Sequence, residues 1–319
     1  MDYSKSKMTP EQDAWLREAV LKMNNCFLEK WNKDKIDDES MYFIEAHYLM
    51  TKYDNVPYYR YYSIYYHPEQ LACGRSSKGY IHNLESNKIK NKVSQGWLTL
   101  LYKGFRKPGF LNVSAYPVGG CSLAVDFPVE VARKLIAEYG NKGRILDPCA
   151  GWGGRMIGAL LNDVEEYVGI DPSPDSNRGN NILLDHIGKY QDTKVTLIQK
   201  PYEEVTEDLG LFDMAITSPP YFDVEIYAGY NTSTTKFPEY DKWVEGFLKP
   251  LIENTMNRLK PEGCFLLNIG DQTYPLTKEV EKICDGKYNV ENLGCVSSEK
   301  QRGNLHTGKS DNIYKITKL

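Results

Sequence analysis

The sequence lacks several features that define specialised protein classes. None of its seven cysteines is spaced as C-x-x-C, which excludes a zinc ribbon, and their scattered, odd-numbered distribution does not fit a disulfide framework. No apolar run approaches the ~20 residues of a membrane helix, and residues 1–12 carry no apolar signal core. None of the five histidines has metal-ligand spacing. We therefore expect a cytoplasmic protein of the reducing cell interior, with neither a membrane nor a metal partner.

Length and composition indicate an ordinary folded protein. The 319 residues fit one large domain or two smaller ones. Hydrophobic residues make up 41% and charged residues 26%, which excludes disordered and fibrous classes. The net charge of −4 does not by itself indicate a polyanionic partner. Tyrosine is unevenly distributed, because nine of the 24 tyrosines lie within residues 42–66.

Residues 74–110 differ in charge from the rest of the chain. They carry eight Lys and Arg against one Glu, a net charge of +7, so the remaining residues carry −11. Aromatic residues, including Trp97 and Phe105, are interleaved with these basic residues. This combination is typical of nucleic-acid surfaces, with a solvated lysine face as the alternative. The candidate nucleic-acid-binding residues are Arg75, Lys78, Lys103, Arg106, Lys107 and, in the loop 298–311, Arg302.

Two parts of the chain have different secondary-structure patterns. Residues 1–112 are expected to form a smaller α+β region, with helices over about 9–31 and 38–52. From 113 to 319, helices alternate with short apolar strands, which predicts a doubly wound parallel sheet with helices on both faces. The last two strands have no helix between them, which predicts an antiparallel hairpin at one edge. The expected fold class is therefore α/β.

A glycine-rich loop follows the first strand of the predicted sheet. The segment DPCAGWGGR (147–155) connects this strand to a helix, and its glycines let the backbone approach a ligand. The dinucleotide fingerprint G-x-G-x-x-G does not match, since Met156 stands where its third glycine is needed, and the sequence has no P-loop pattern G-x-x-x-x-G-K-[ST]. The second strand ends in Asp171, whose carboxylate can accept hydrogen bonds from both ribose hydroxyls of an adenosine-containing cofactor. A helix N-cap is the alternative role for Asp171.

The fourth strand ends in Ser218-Pro219-Pro220-Tyr221. Two consecutive prolines remove two backbone donors and fix φ, so this segment cannot continue the sheet and projects from its end. The first and fourth strands are neighbours in a doubly wound sheet, which places this turn beside the glycine loop. A simple turn without chemistry is the alternative interpretation.

The motifs DPCAGWGG, GID and TSPPY together resemble those of the class I S-adenosylmethionine-dependent methyltransferases, and within them the DNA amino-methyltransferases that modify exocyclic amines. The resemblance covers about 115–319 and implies a Rossmann-like catalytic domain. Cys149 departs from the usual pattern, which has Phe at that position. The target-recognition region of the family normally follows the catalytic motif, but only about 50 residues follow the fifth strand here. Recognition would therefore use residues 1–112 and the insert 223–240.

The resemblance implies S-adenosylmethionine as cofactor and DNA as partner, with a target base flipped out of the duplex. Ser218 and the Pro219 carbonyl would accept the two N–H bonds of the target amine, and Tyr221 would stack on the base. Serine at the first position favours N4 of cytosine over N6 of adenine; C5 methylation is rejected because the only Pro-Cys pair lies in the cofactor loop. RNA amino-methylation and a non-catalytic nucleic-acid-binding subunit remain alternatives. The expected catalytic residues are Ser218, Pro219, Pro220 and Tyr221, and the expected cofactor-binding residues are Phe127, Asp147, Pro148, Cys149, Ala150, Gly151, Gly153, Asp171 and Tyr202.

Overall fold

A computed structural model of the protein describes residues 48–53, 58, 63, 67, 74–75, 126–227, 231–296, 305–306 and 311–319. The chain divides into two compact units, of which the first comprises residues 1–56, 61–125 and 223–229. In this unit residues 48–53 are helical and overlap the end of the helix expected over about 38–52, and the short strands β1 (Gly74–Arg75) and β6 (Glu225–Ile226) pair antiparallel. The expected helix over 9–31 and the expected domain boundary at 112–113 lie outside the described residues.

The second unit, residues 57–60, 126–222 and 230–319, is built on an eight-stranded sheet. Its strand order is β4-β3-β2-β5-β7-β10-β8-β9. The five strands from β4 to β7 are mutually parallel, whereas β10, β8 and β9 are added antiparallel. The α/β class and the antiparallel edge predicted from the sequence are thus confirmed. The strands are β2 (Arg144–Asp147), β3 (Glu166–Ile170), β4 (Lys194–Ile198), β5 (Phe212–Thr217), β7 (Leu259–Ile269), β8 (Tyr288–Val296), β9 (Leu305–His306) and β10 (Asn312–Lys318).

Helices connect β2 to β3, β3 to β4 and β5 to β7, as the alternation in the sequence predicts, whereas β4 continues to β5 through the short 3₁₀ helix Tyr202–Glu204. Helices α5 (Tyr240–Trp243) and α6 (Lys249–Asn257) are joined by the π-helical turn Val244–Leu248, so residues 240–257 form one helical run whose hydrogen-bond pattern changes at this turn. No helix in the described part of the chain combines the length and the apolar character needed to cross a bilayer. The helices are α1 (Val129–Tyr139), α2 (Gly154–Leu160), α3 (Pro174–Ile187), α4 (Ser233–Lys236), α5 (Tyr240–Trp243), α6 (Lys249–Asn257) and α7 (Leu276–Cys284).

The centre of the sheet is buried on both faces. Every residue of β3 is buried, and in the next two strands of the sheet, β2 and β5, Ile145, Leu146, Met214 and Ala215 have no exposed surface. Such strands have near-continuous apolar sequences because helices cover both sides. β2 and β5 pair through Ile145↔Met214 and Leu146↔Ala215. Strand order reverses between these two strands, and crevices at such points are the usual ligand sites of open α/β sheets.

Candidate active site

Asp147, the last residue of β2, is the centre of a buried hydrogen-bond network. Its Oδ2 accepts hydrogen bonds from Arg155 Nε at 2.7 Å and from the Tyr167 hydroxyl at 2.8 Å. Its Oδ1 accepts one from the Thr217 hydroxyl at 2.9 Å. Burial and the nearby Asp147 charge raise the pKa of Tyr167 well above its ordinary value, so this hydroxyl stays a donor. The Asp147 carboxylate therefore holds the loop that follows it in place.

Thr217 connects the glycine loop to the turn after β5. Its Oγ1 donates to Asp147 and accepts a hydrogen bond from the Cys149 N–H at 3.1 Å. Thr217 is also the residue immediately before Ser218, so both loops start from one hydrogen-bonded point. The predicted adjacency of the first and fourth strands is thereby confirmed. The sequence analysis missed Thr217, although a polar residue ending the apolar strand FDMAIT is a usable signal.

The glycine loop depends on two residues in left-handed backbone conformation. Gly151 has φ +55° and Gly153, which precedes α2, has φ +85°. A Cβ on Gly153 would lie 2.4 Å from Oδ1 of Asn180, a buried residue on α3 whose Nδ2 donates to the Gly151 carbonyl at 3.0 Å. A Cβ on Gly151 would meet no described atom closer than 3.8 Å. The loop is therefore tight at Gly153 and open at Gly151, which leaves room for a ligand against the backbone.

Gly153→Ala should destabilise the protein by about 2 kcal/mol or more, because alanine resists positive φ and its Cβ displaces Asn180. The matched control is Gly188→Ala at the end of α3. Gly188 has φ −59°, and a Cβ there would meet no described atom within 4 Å. This control should be neutral or stabilising by about 0.5 kcal/mol. Urea denaturation of both variants checks the difference, and equal effects would contradict the tight fit at Gly153.

Asp171 lies directly after β3 and braces the same loop. Its Oδ2 accepts the Gly151 N–H at 2.9 Å, and its Oδ1 accepts the Ser173 N–H at 2.9 Å. The N-cap of α3 is Ser173, whose Oγ accepts the Ser176 N–H at 3.1 Å. Each carboxylate oxygen keeps lone-pair capacity for a further donor. Burial raises the pKa of Asp171 to about 6, against the lowering effect of the two backbone hydrogen bonds.

Several other expected cofactor residues also lie around the loop. The Phe127 ring is buried, and the Arg155 guanidinium lies 5.4 Å from the ring centroid. The backbone carbonyl of Phe127 lies close to Gly154. Pro148 is buried, and the Ala150 N–H donates to the Ile170 carbonyl at 2.9 Å. Burial raises the pKa of the Cys149 thiol well above its ordinary value, so the thiol is neutral.

Tyr202 is more deeply buried than a residue has to be in order to contact a ligand. It begins the short 3₁₀ helix Tyr202–Glu204 and is 2% exposed. Its hydroxyl accepts a hydrogen bond from Thr255 Oγ1 at 3.2 Å, and Arg258 lies 5.5 Å from its ring centroid. These contacts give Tyr202 a packing role, and its expected contact with the cofactor's adenine stays a prediction.

The Ser218-Pro219-Pro220-Tyr221 turn is fastened to β7 by Asn268. Asn268 Nδ2 donates to Ser218 Oγ at 2.9 Å and to the Tyr221 hydroxyl at 3.3 Å. The Tyr221 hydroxyl in turn donates to the Asn268 carbonyl at 3.4 Å. Tyr221 is only 5% exposed, so its expected stacking on a base stays a prediction. The sequence analysis missed Asn268, whose one signal is a polar residue inside the apolar run FLLNI.

Phe222, directly after this turn, has an unusual backbone. Its φ is +57°, a left-handed conformation that is costly for an aromatic residue. The ring makes edge contacts with Tyr274 and Tyr240 at centroid distances of 5.1 and 5.6 Å, and a tilted contact with Trp243 at 5.7 Å. This aromatic packing holds the strained residue in place and fixes where the turn ends.

Most of the expected nucleic-acid-binding residues have no described position. Arg75 belongs to β1, but its side chain is not among those described. Within the described part of the chain no cluster of three or more His, Cys, Asp and Glu side chains forms a candidate metal site. The residues that lie outside the described ranges are Lys78, Lys103, Arg106, Lys107 and Arg302.

No protein-family model and no curated protein matches the sequence. Similar solved structures include a protein from Listeria monocytogenes described as a class I S-adenosylmethionine-dependent methyltransferase, with 13% identity, a TM-score of 0.44, and coverage of 88% of this chain and 87% of that one. An rRNA methylase from Streptococcus thermophilus has 14% identity and a TM-score of 0.39, covering 61% of this chain and 99% of that one. A precorrin-6y C5,15-methyltransferase from Geobacter metallireducens has 20% identity and a TM-score of 0.39, covering 59% and 86%. Identities and TM-scores this low say nothing about what this chain binds.

Proposed function

We propose that this chain transfers a methyl group from S-adenosylmethionine to an exocyclic amine of a nucleic-acid base, with N4 of cytosine in DNA as the preferred target. The observation that carries the proposal is the position of Thr217. Its hydroxyl bonds to Asp147 and to the Cys149 N–H, and the next residue is Ser218. A cofactor held by the glycine loop would therefore lie beside the groups that would hold the amine.

The residues after β2 and β3 fit S-adenosylmethionine. The open space at Gly151 admits a ligand close to the backbone, and the Asp171 carboxylate has lone pairs left for two ribose hydroxyls. Phe127 closes the loop from the side of α1. When bound, S-adenosylmethionine supplies an electrophilic methyl group on its sulfonium. The chain's own task in the proposed reaction would be to bind and orient the cofactor and the methyl acceptor.

The turn after β5 fits an amine as the methyl acceptor. An exocyclic amine is a poor nucleophile because its lone pair is delocalised into the ring of the base. Two acceptors, the Ser218 hydroxyl and the Pro219 carbonyl, would bind its two N–H groups and favour a pyramidal nitrogen with a localised lone pair. Pro220 restricts the preceding residue to an extended backbone, and this limits the directions that the Pro219 carbonyl can take. Positioning and electrostatics of this kind need no strong general base.

A base inside a duplex cannot reach a turn at the end of a buried sheet, so the target nucleotide would have to leave the stack. Extrusion costs a few kcal/mol, which edge hydrogen bonds and stacking offset. We propose that residues 1–112, with their basic and tyrosine-rich segments, bind the nucleic acid around this base. Single-stranded DNA and RNA would present unstacked bases to the same residues, so the substrate must be found by experiment.

Nucleoside mass spectrometry tests the proposal. The protein would be incubated with S-adenosylmethionine and unmethylated DNA, and in parallel with RNA, and the digested nucleosides analysed. N4-methylcytosine in DNA is the expected product, and N6-methyladenine would change only the target base. Methylation of RNA alone would keep the reaction and overturn the DNA substrate. No product in either, with S-adenosylmethionine bound, would overturn the enzymatic proposal in favour of a binding subunit.

The affinity for S-adenosylmethionine should increase as the pH rises through 6. Ribose hydroxyls donate to the ionised Asp171, whose pKa in the unliganded protein is raised to about 6 by burial. At pH 5 the affinity should be about tenfold weaker than at pH 7.5, with no further gain above that. Calorimetric titration between pH 5 and 8 measures this. Asp171→Asn should bind more weakly and without this dependence; an identical pH profile would remove Asp171 from the cofactor site.

The stability of the unliganded protein should depend on pH in the opposite direction. The Asp171 carboxyl has an ordinary pKa of 3.8 and a folded-state pKa of about 6. Between these values the folded state holds a proton that the unfolded state has released. Stability contributed by this group is therefore present at low pH and lost as the pH rises from about 4 to 6. As the pH rises, ionisation of this one carboxyl group should therefore increase the affinity for S-adenosylmethionine and decrease the stability of the unliganded protein.

A further inference from the structure

The side-chain amide of Asn268 has a nitrogen that donates two hydrogen bonds and an oxygen that accepts none within the described part of the chain. The residue is 7% exposed, and its Oδ1 has no hydrogen-bond partner among the residues that the structure describes. A buried carbonyl oxygen without a donor costs free energy, and such a cost requires a compensating interaction. The compensation lies at Nδ2, whose two hydrogens go to Ser218 Oγ and to the Tyr221 hydroxyl.

The sheet register explains why this amide reaches the turn. β5 and β7 are parallel neighbours, and Thr217 pairs with Leu267 at the end of their ladder. Ser218 and Asn268 are the next residues on the two strands, so they lie side by side. The same Nδ2 also holds Tyr221, three residues beyond Ser218. One side chain on β7 thus fixes both ends of the Ser-Pro-Pro-Tyr turn.

The bond to Ser218 also determines which part of its hydroxyl remains for a substrate. A serine oxygen has two lone pairs and one hydrogen, and the hydroxyl group rotates about its Cβ–Oγ bond. Donation from Asn268 Nδ2 occupies one lone pair and restrains Oγ at 2.9 Å from the amide nitrogen. The second lone pair is then the one that accepts an N–H from a bound amine.

We infer that Asn268 is a positioning residue for methyl transfer, acting through Ser218, and this inference rests on the proposed function. Its amide holds the Ser218 oxygen where it binds and pyramidalises the target amine. The Asn268 side chain bonds to the Ser-Pro-Pro-Tyr turn, so its replacement should affect methyl transfer and leave the affinity for S-adenosylmethionine unchanged.

The test compares Asn268→Ala, Asn268→Asp, Ser218→Ala and the Ser218→Ala/Asn268→Ala double variant. Each is assayed with tritiated S-adenosylmethionine on the nucleic acid that the unaltered chain methylates. Asn268→Ala should lower kcat about 10²-fold, as a displaced catalytic group does, with little change in KM. The double variant should transfer no more slowly than Ser218→Ala, because Asn268 has no effect without Ser218.

The pH profile of Asn268→Asp separates positioning from mere packing. The ionised carboxylate has no hydrogen to donate to Ser218, whereas the protonated acid has one. Activity of this variant should therefore recover as the pH falls, relative to the unaltered chain at the same pH. Asn289→Asp, an exposed change of the same charge on β8, is the control and should show no recovery. This readout remains decisive even where Asn268→Ala folds poorly.

Additive losses in the double variant, or an Asn268→Asp profile that follows that of the unaltered chain, would overturn the inference. Full activity of a folded Asn268→Ala would do the same while leaving the proposed function standing. Absence of methyl transfer by the unaltered chain, with both DNA and RNA offered, would overturn the proposed function and this inference with it.

Discussion

Ser218→Ala should reduce methyl transfer about 10²–10³-fold and leave the affinity for S-adenosylmethionine unchanged. The Ser218 hydroxyl follows Thr217 at the end of β5, and among the described contacts its Oγ is bonded to Asn268 on β7. In the proposed reaction it contacts the target amine and not the cofactor. Removing it takes away an acceptor that matters most when the nitrogen becomes pyramidal, so the loss should fall on kcat.

Single-turnover assays and calorimetric titration of the cofactor measure the two quantities separately. Ser233→Ala is a matched control, because it removes the same atom from a serine on α4 whose Oγ accepts the Trp243 Nε1–H at 3.0 Å. That control should lose about 1 kcal/mol of stability and no transfer activity. Equal turnover by Ser218→Ala and the unaltered chain would remove Ser218 from the reaction.

Arg155→Met should lower the free energy of unfolding by about 3–5 kcal/mol. Arg155 is 4% exposed and pairs with the fully buried Asp147 at 2.7 Å; it also donates to the Cys149 carbonyl. Methionine fills similar space but leaves the Asp147 carboxylate buried without its counter-charge. The loss comes from this uncompensated charge rather than from a cavity.

Lys242→Met is the control for this prediction. Lys242 pairs with Glu239 at 3.0 Å, but both side chains are more than half exposed, so its loss should cost at most about 0.5 kcal/mol. Urea denaturation followed by circular dichroism compares the two variants. Adding Asp147→Asn to Arg155→Met should recover part of the loss, because the unpaired charge is gone. Similar losses for Arg155→Met and Lys242→Met would show that the buried pair contributes no more than the exposed one.

The sequence predicted most of the second unit's fold because its parallel strands are short and apolar and mostly alternate with helices. The pairing of β2 with β5 also followed, since doubly wound sheets place these strands together. The start of β7 at Leu259 was not predicted, because polar residues such as Lys260 and Glu262 precede the apolar run. Because of its pairing with β5, this strand begins earlier in the sequence than its run of apolar side chains indicates.

Within the site, the sequence indicated the loops but not the side chains that join them. Thr217, Arg155 and Asn268 act through partners on other strands or turns, and such pairings depend on register that one sequence does not show. The cap of α3 illustrates the same point, because Asp171 and Ser173 are both suitable cap residues. Only the geometry assigns the cap to Ser173 and leaves Asp171 to brace the glycine loop.

The hydroxyl of Thr217 has a thermodynamic consequence for an enzyme with two substrates. Thr217 bonds through this hydroxyl to Asp147 and to the Cys149 N–H of the glycine loop, and the next residue in the chain is Ser218. In the proposed reaction, a shift of the glycine loop when one ligand binds would therefore change the free energy of binding the other. Heterotropic coupling of this kind is reciprocal. The factor by which S-adenosylmethionine changes the affinity for nucleic acid equals the factor by which nucleic acid changes the affinity for S-adenosylmethionine.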